Sequence, residues 1–278
     1  MRLRVFVHSH DGLTVSLQTA LSAYCAMQNH WHVNLTVLTA TPITTGQVHC
    51  PRDTLRFDVN LFNRSIGFGL ACQYRPLLLA SRGWADVYAV FEDDIILRGE
   101  TVDAFMQLAP WLRPPLVPAV LRYESKHVNG TRRRRRFICD DNAPSLPAQW
   151  RTIDGQPCIV RKSKHYSAGF LLGAAHLEYL IRRTGARGPR LAAWSTDGAH
   201  GCSAHRTQGR EWPMAVPYWM HVLNPVIPES HWDRLLVHHH RQTLRARSPA
   251  TCIDEVKVVL APQRLVAVAK ARGRRKGW

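Results

Sequence analysis

Short apolar runs alternate with helix-like segments over the first 123 residues of the chain. The runs LRVFV, VNLTVLTAT and DVYAVF are rich in β-branched residues, which is typical of buried strands. Around them, TVSLQTALSAYCAM, LACQYRPLLLASRGW and GETVDAFMQLAPWL carry apolar residues at helical spacing, and Pro76 starts or kinks the second of these. Strands that alternate with helices predict an α/β fold with a central, mostly parallel sheet.

The pattern changes from residue 124 onward. Residues 124–157 show little periodicity and include five consecutive arginines, so we expect a basic flexible loop there. Residues 158–262 return to a strand, a glycine turn and a helix in CIVRKSKHYSAGFLLGAAHLEYLIRR, and residues 263–278 form a basic tail. We therefore expect a single domain over the whole chain, with halves 1–123 and 158–262 joined by the loop.

The charge balance is strongly basic. Lys and Arg number 37 against 20 Asp and Glu, a formal net charge of +17. Such a surface attracts nucleotide phosphates, anionic lipid headgroups, sulfated glycans or nucleic acid, and the sign of the charge does not choose among them. The arginine run is either a solvated loop or a clamp for a phosphate, an acidic acceptor or an anionic membrane surface.

Two sets of features give different expectations for the compartment. No apolar run reaches the roughly 18 residues of a membrane span, and the apolar part of the N-terminus is too short for a secretory signal. We therefore expect a cytoplasmic protein, peripheral at a membrane if it contacts one. Seven cysteines and the sequons at Asn34, Asn63 and Asn129 favour the alternative, a luminal domain without its anchor. The cysteines lack paired Cys-x-x-Cys spacing, which weakens a zinc-finger reading, and we expect free, partly buried thiols.

Three consecutive carboxylates, Glu92, Asp93 and Asp94, end the third strand in VYAVFEDDIIL. Neighbouring carboxylates repel each other and resist desolvation, so a cation is expected to compensate them. Mg²⁺ and Mn²⁺ prefer oxygen ligands and bind one or two carboxylates together with substrate phosphates. A solvated acidic turn is the alternative. In a regular strand, Glu92 and Asp94 would face one way and Asp93 the other.

This stretch resembles the DxD-type motif of nucleotide-sugar glycosyltransferases with the GT-A fold. The E-D-D form is similar to that of N-acetylglucosaminyltransferases and exostosin-like enzymes. The resemblance implies a Rossmann-type α/β/α sandwich, with nucleotide bound by residues 1–123 and acceptor by residues 158–262. It also implies Mn²⁺ or Mg²⁺, a nucleoside diphosphate sugar donor, with UDP as the default, and a hydroxyl acceptor on a glycan or lipid-linked glycan. The sugar would be a hexosyl, N-acetylhexosaminyl or pentosyl unit.

The resemblance assigns the metal to Asp94 and to a histidine near the C-terminus. LLVHHHR offers the candidates, of which we favour His239 and then His238. Strand alternation sends His239 to one face and the two histidines beside it to the other. The remaining alternatives are His221, His231 and His240.

The resemblance also assigns residues to the donor and the acceptor. The donor residues implied are His8 and Asp11 for the nucleoside, Arg75 for the diphosphate, Glu92 and Asp93 for nucleotide and sugar, and Gly169 in HYSAGFLLG beside the sugar. In WSTDGAH, Asp197 occupies the place of the base that removes the proton of the acceptor hydroxyl. Thr196 stands where the family usually has Glu, and a helix N-cap is the other reading of Asp197.

Two other functions compete with this one. A metal-dependent phosphodiesterase or nuclease also needs carboxylates, histidines and a basic surface, but its usual two metals require several separated acidic ligands. A non-catalytic nucleic-acid-binding protein would explain the charge alone, although no zinc-finger spacing or RNA-binding signature accompanies the arginines. The dense acid triplet therefore favours the glycosyltransferase.

Overall fold

The computed structural model describes residues 1–43, 57–127, 134–138, 148–161, 169–184, 223–240 and 253–254. The helices in this part of the chain are α1 (Val15–Met27), α2 (Tyr74–Ala80), α3 (Gly99–Leu108) and α4 (Ala174–Thr184), with 3₁₀ helices at Arg64–Cys72 and Glu229–Leu235. The strands are β1 (Arg2–Ser9), β2 (His32–Thr39), β3 (Phe57–Leu61), β4 (Val87–Glu92), β5 (Ile95–Ile96), β6 (Leu116–Pro118), β7 (Leu121–His127), β8 (Arg134–Ile138), β9 (Ala148–Ile153), β10 (Gln156–Arg161), β11 (Gly169–Gly173), β12 (Asn224–Pro228), β13 (Leu236–His239) and β14 (Ile253–Asp254).

The central sheet has the strand order β11-β4-β1-β2-β3. β1 runs parallel to both β2 and β4, and β2 runs parallel to β3, whereas β11 pairs antiparallel with β4. β1 is buried from Leu3 to Ser9, as expected for a parallel strand that is covered on both faces. The prediction of an α/β fold with a central, mostly parallel sheet is confirmed.

The chain reverses its direction across the sheet between β1 and β4. From β1 it passes through α1 to β2 and on to β3, then returns through α2 to β4 on the other side of β1. Because such crossovers are right-handed, α1 and α2 lie on opposite faces of the sheet. The strand order reverses at the carboxyl ends of β1 and β4, and open sheets of this kind bind ligands at such a position.

A second sheet, with the order β14-β8-β7-β13-β5, begins beside the carboxyl end of β4. β5 starts directly after Asp94 and pairs antiparallel with β13, so that Ile95 lies opposite His239. β13 in turn runs parallel to β7. Ends of strands that are far apart in sequence therefore meet near the acid triplet. A third sheet has the order β6-β12-β10-β9.

The flexible loop expected at residues 124–157 is not what the described residues form. This segment contains most of β7, all of β8 and β9, and the beginning of β10. The chain pairs β7 with β8 and β9 with β10 through backbone hydrogen bonds, which need no apolar alternation. Asp154 and Gly155, with φ of 47° and 80°, connect β9 to β10 in the left-handed conformation of a tight hairpin turn.

The cysteines differ from the expectation of free thiols at one position. Cys25, in α1, is disulfide-bonded, so the prediction is wrong there. Cys158 is a free and buried thiol, as predicted. Asn34 is a half-buried residue of β2 that accepts a hydrogen bond from Arg4. Among the helices described above, none has the length and apolarity to cross a membrane.

Candidate functional site

The acid triplet at the end of β4 divides between two environments. Asp93 turns toward the start of α1, where its Oδ2 accepts a hydrogen bond of 2.6 Å from Ser9 Oγ and one of 3.5 Å from Thr14 Oγ1. Thr14 is the N-cap of α1 and also accepts a bond from the backbone of Leu17. A carboxylate is favourable at this position because the helix N-terminus carries partial positive charge. Asp93 therefore joins β4 to the β1–α1 connection.

Asp94 turns toward the second sheet and is 7% exposed. Its Oδ2 lies 2.9 Å from Nε2 of His239, and its backbone oxygen accepts a bond of 2.7 Å from the His240 amide. The two side chains are 145 positions apart in sequence. They meet because β5, which follows Asp94, pairs with β13, which ends in His239.

His239 also contacts a third acidic side chain, Glu124 of β7. Nδ1 of His239 lies 3.0 Å from Glu124 Oε1, and these two residues are 4% and 2% exposed. Burial lowers the pKa of His239, but the hydrogen bonds to Asp94 and Glu124 outweigh it, so the pKa lies above its ordinary value. In the imidazolium form, which this favours, each ring nitrogen donates to one carboxylate.

Glu124 was not predicted as a site residue. The sequence contains a signal for it, because PPLVPAVLRYE places an acid at the end of an apolar run, as VYAVFEDDIIL does. In an α/β sheet such strand ends collect functional side chains. The residue was instead assigned to the start of the expected loop.

The pair Asp94 and His239 has a spacing that fits a divalent ion. Two neighbouring ligands of an octahedral Mg²⁺ or Mn²⁺, each about 2.1 Å from the ion, lie about 3.0 Å apart. The observed separation of Asp94 Oδ2 and His239 Nε2 is 2.9 Å, which is also the ordinary length of the N–H···O hydrogen bond that these two groups form. Such ions commonly take one or two carboxylates and complete their shell with water and substrate phosphates. In the described ranges, no group of three or more His, Cys, Asp and Glu side chains is arranged to hold a metal.

The other candidate histidines lie elsewhere. His238 is half-buried, and its ring centroid is 5.1 Å from that of Tyr123. His231 is half-buried in the 3₁₀ helix before β13 and shares a hydrogen bond of 2.9 Å with Ser230. His240 meets Asp94 through its backbone amide. Of these described histidines, His239 is the one whose ring reaches Asp94.

His8 lies at the end of β1, in register with Glu92 of β4. It is buried, and neither ring nitrogen has a hydrogen-bond partner. Burial lowers its pKa to about 4, although the charge of Asp94 acts in the opposite direction. His8 is therefore neutral at pH 7. Asp11, in the connection that follows, is exposed, and its carboxylate is 3.5 Å from the ring of His10.

Arg75 is buried at the start of α2, beside Tyr74. Burial raises the pKa of Tyr74, and the neighbouring Arg75 guanidinium partly offsets this effect. The centroid of the Tyr74 ring lies 6.5 Å from that of the Phe6 ring. Phe6 precedes His8 by two positions and therefore lies on the same face of β1. The first turn of α2 thus covers the face of the sheet on which His8 lies.

Gly169 begins β11, opposite Phe91 of β4. A Cβ atom at this position would lie 2.1 Å from Cδ1 of Phe91 and 2.3 Å from the backbone oxygen of Val90, and φ is 157°. The close approach that glycine permits here is therefore between two strands, directly before the acid triplet. Its contact with a donor sugar stays a prediction.

The comparisons with known proteins identify no family. No protein-family model matches the chain, and no curated protein sequence matches it. One solved structure that is similar is the crystal structure of 4-diphosphocytidyl-2C-methyl-D-erythritol synthase, with 14% identity, a TM-score of 0.32, and coverage of 76% of this chain and 86% of that one. A similarity of this size does not assign a function.

Two predicted site residues lie outside the described residues: the predicted base Asp197 and the alternative metal ligand His221. Among the described ones, the structure brings Asp94 and His239 together and places His8 under the electrostatic influence of Asp94. This combination of a carboxylate, an imidazole and a neutral buried histidine supplies oxygen and nitrogen atoms of the types that hold cations and polar ligand groups in proteins.

Proposed function

We propose that the chain is a metal-dependent glycosyltransferase of the GT-A type, which moves a sugar from a nucleoside diphosphate sugar, with UDP as the default nucleotide, to a hydroxyl of a glycan or lipid-linked glycan. The observation that carries the proposal is the buried contact between Asp94 and His239, directly after the carboxyl end of β4, where the strand order reverses. Ligands of open α/β sheets bind at such a reversal of strand order.

Asp94 and His239 would hold Mn²⁺ or Mg²⁺ through Oδ2 and Nε2. Such an ion would neutralise the negative charge that develops on the departing diphosphate. His8 and Asp11, at the end of β1, would face the nucleoside, with Glu92 next to them on β4. Asp197 would take the proton of the acceptor hydroxyl, an assignment that rests on the sequence resemblance.

The disulfide at Cys25 supports the luminal alternative for the compartment. Disulfides persist in oxidising environments such as the secretory pathway and are rare in the cytosol. We therefore propose that the domain acts in an oxidising compartment, where glycans and lipid-linked glycans are within its reach.

The proposed function is tested by donor binding. The protein is incubated with a panel of nucleoside diphosphate sugars, with and without Mn²⁺, and thermal stability and release of nucleoside diphosphate are measured. A bound donor at 100 times its dissociation constant stabilises a folded protein by about 2.7 kcal/mol. We expect stabilisation by at least one donor, dependent on Mn²⁺, and loss of the effect in Asp94→Asn.

Asp58→Asn is the matched control, because Asp58 is an exposed residue of β3. It should respond to donors as the original protein does. Absence of stabilisation by every donor with Mn²⁺ contradicts the proposal. Cleavage of a phosphodiester substrate, or stabilisation by nucleic acid without a sugar nucleotide, would instead support one of the two alternatives.

A further inference from the structure

Glu124 places a second carboxylate on the imidazole that meets Asp94. It reaches His239 through Nδ1 at 3.0 Å, while Asp94 approaches Nε2 at 2.9 Å from the other edge of the ring. The parallel pairing of β7 with β13, in which Tyr123 lies beside His238, brings Glu124 next to His239. The two carboxylates are therefore fixed by different strands, β7 and the end of β4.

This arrangement has a specific chemical meaning for a metal ligand. A histidine that binds a metal through one ring nitrogen usually donates the N–H of the other to a carboxylate, which fixes the tautomer and the rotation of the ring. Here Glu124 accepts at Nδ1, so the lone pair of Nε2 is directed toward Asp94 when that nitrogen carries no proton. Nδ1 therefore donates a hydrogen bond to Glu124, and Nε2 is the nitrogen that can bind a metal.

The burial of Glu124 also requires an explanation. Removing a carboxylate from water is costly unless charged or hydrogen-bonded partners compensate it. Glu124 is 2% exposed, and Arg122, two positions earlier on β7, is also buried and acts electrostatically on His239. Without a metal, the His239 imidazolium lies between Glu124 and Asp94; when Nε2 binds a divalent ion instead, that ion and the buried Arg122 would balance the two carboxylates.

We propose that Glu124 is a positioning residue, which holds His239 with Nδ1 protonated and Nε2 available to the metal. This inference rests on the proposed function, because it gives His239 the role of metal ligand. Glu124 itself does not touch the metal or the substrate. A purely structural ion pair between β7 and β13 is the competing explanation.

The test measures metal affinity and ring tautomer in the full chain. Mn²⁺ binding in the presence of UDP is followed by electron paramagnetic resonance for the original protein and for Glu124→Gln, Glu124→Ala and Glu124→Asp. Loss of such an outer carboxylate weakens metal binding by about 10- to 100-fold. We expect a loss in this range for Glu124→Ala, a smaller loss for Glu124→Gln, whose side-chain oxygen still accepts a hydrogen bond, and partial recovery in Glu124→Asp.

A matched control is Glu100→Gln, an exposed glutamate in the first turn of α3, which should leave Mn²⁺ affinity unchanged. Thermal unfolding is recorded for every variant. Variants that lose stability but bind Mn²⁺ with unchanged affinity when folded would overturn the positioning role and support the structural ion pair. Failure of the original protein to bind Mn²⁺ would overturn the proposed function, and this inference with it.

A second measurement needs no substitution. ¹⁵N magnetic resonance of the histidine rings in the original protein, with a diamagnetic Mg²⁺ and UDP, reports which nitrogen of His239 carries the proton. We expect the Nδ1–H form. Observation of the Nε2–H form in the presence of Mg²⁺ and UDP would contradict the proposal, whether or not the variants fold.

Discussion

Asp93 and Asp94 are adjacent in sequence but have different neighbours. Asp93 is hydrogen-bonded to Ser9 and lies at the N-terminus of α1, whereas Asp94 is buried against His239. Both aspartates lie in the turn between β4 and β5, and this turn directs one carboxylate to α1 and the other to the second sheet. The triplet thus contains one residue that secures the fold and one that faces the candidate site.

Substitution of these two aspartates should therefore have different consequences, a loss of stability for Asp93 and a loss of metal binding for Asp94. Asp93→Asn weakens the bonds from Ser9 and Thr14 and removes a charge from the helix N-terminus, so we expect a loss of about 1–2 kcal/mol in unfolding free energy. Mn²⁺ affinity should stay within about twofold. Asp94→Asn should abolish Mn²⁺ binding. Urea unfolding and Mn²⁺ titration of both variants provide the measurement. Loss of Mn²⁺ binding in Asp93→Asn, with binding kept in Asp94→Asn, would contradict these two assignments.

At the scale of elements, β11 approaches β4 closely at Gly169, because this residue has no side chain. The Phe91 ring and the Val90 carbonyl occupy the space that a side chain at position 169 would need. These two residues lead directly into the acid triplet. The packing between β11 and β4 therefore determines the position of the carboxylates at the end of β4.

Gly169→Ala is expected to destabilise the fold before it affects ligand binding. Inserting a methyl group into a packed position commonly costs about 1–3 kcal/mol of stability. The added Cβ would lie only 2.1 Å from Phe91 Cδ1 and 2.3 Å from the Val90 oxygen, so we expect a loss at the upper end of this range or beyond it. Chemical denaturation measures the loss. If the variant unfolds like the original protein but fails to bind a sugar nucleotide, the glycine serves the ligand rather than the strand packing.

Some of these elements are predictable from the sequence and others are not, for physical reasons. The apolar run before the acids predicts strand β4, and the resemblance to a family pattern favours His239. Nothing in the spacing of the sequence shows that β13 pairs with β5. The hairpins of the basic segment were missed because the arginines of β8 obscure its strand character. The Asp154–Gly155 pair was the turn signal available there.

At the scale of the whole molecule, charge bears on the ligand and oxidation state on the compartment. The net charge of +17 favours anionic ligands of every kind, so it supports a phosphate-bearing donor without selecting one. The disulfide at Cys25 is more selective, because disulfides persist in oxidising compartments and are rare in the cytosol. It therefore supports the proposed compartment, on which the charge has no bearing.

The oxidation state can be checked by differential thiol labelling. Protein produced in an oxidising compartment is denatured, treated with one maleimide, reduced, and treated with a second. We expect the Cys158 peptide to carry the first label and the Cys25 peptide to carry the second, because only Cys158 is a free thiol of these two. First-label modification of Cys25 would remove the support for the luminal compartment.

The coordination of a divalent ion by Asp94 and His239 is tested most directly by pulsed electron paramagnetic resonance of Mn²⁺ bound with UDP. A coordinated imidazole nitrogen modulates the Mn²⁺ echo. We predict this modulation in the original protein and in His238→Gln, and its disappearance in His239→Gln. A signal that persists in His239→Gln but disappears in His238→Gln, or bound Mn²⁺ with no nitrogen modulation, would contradict the account.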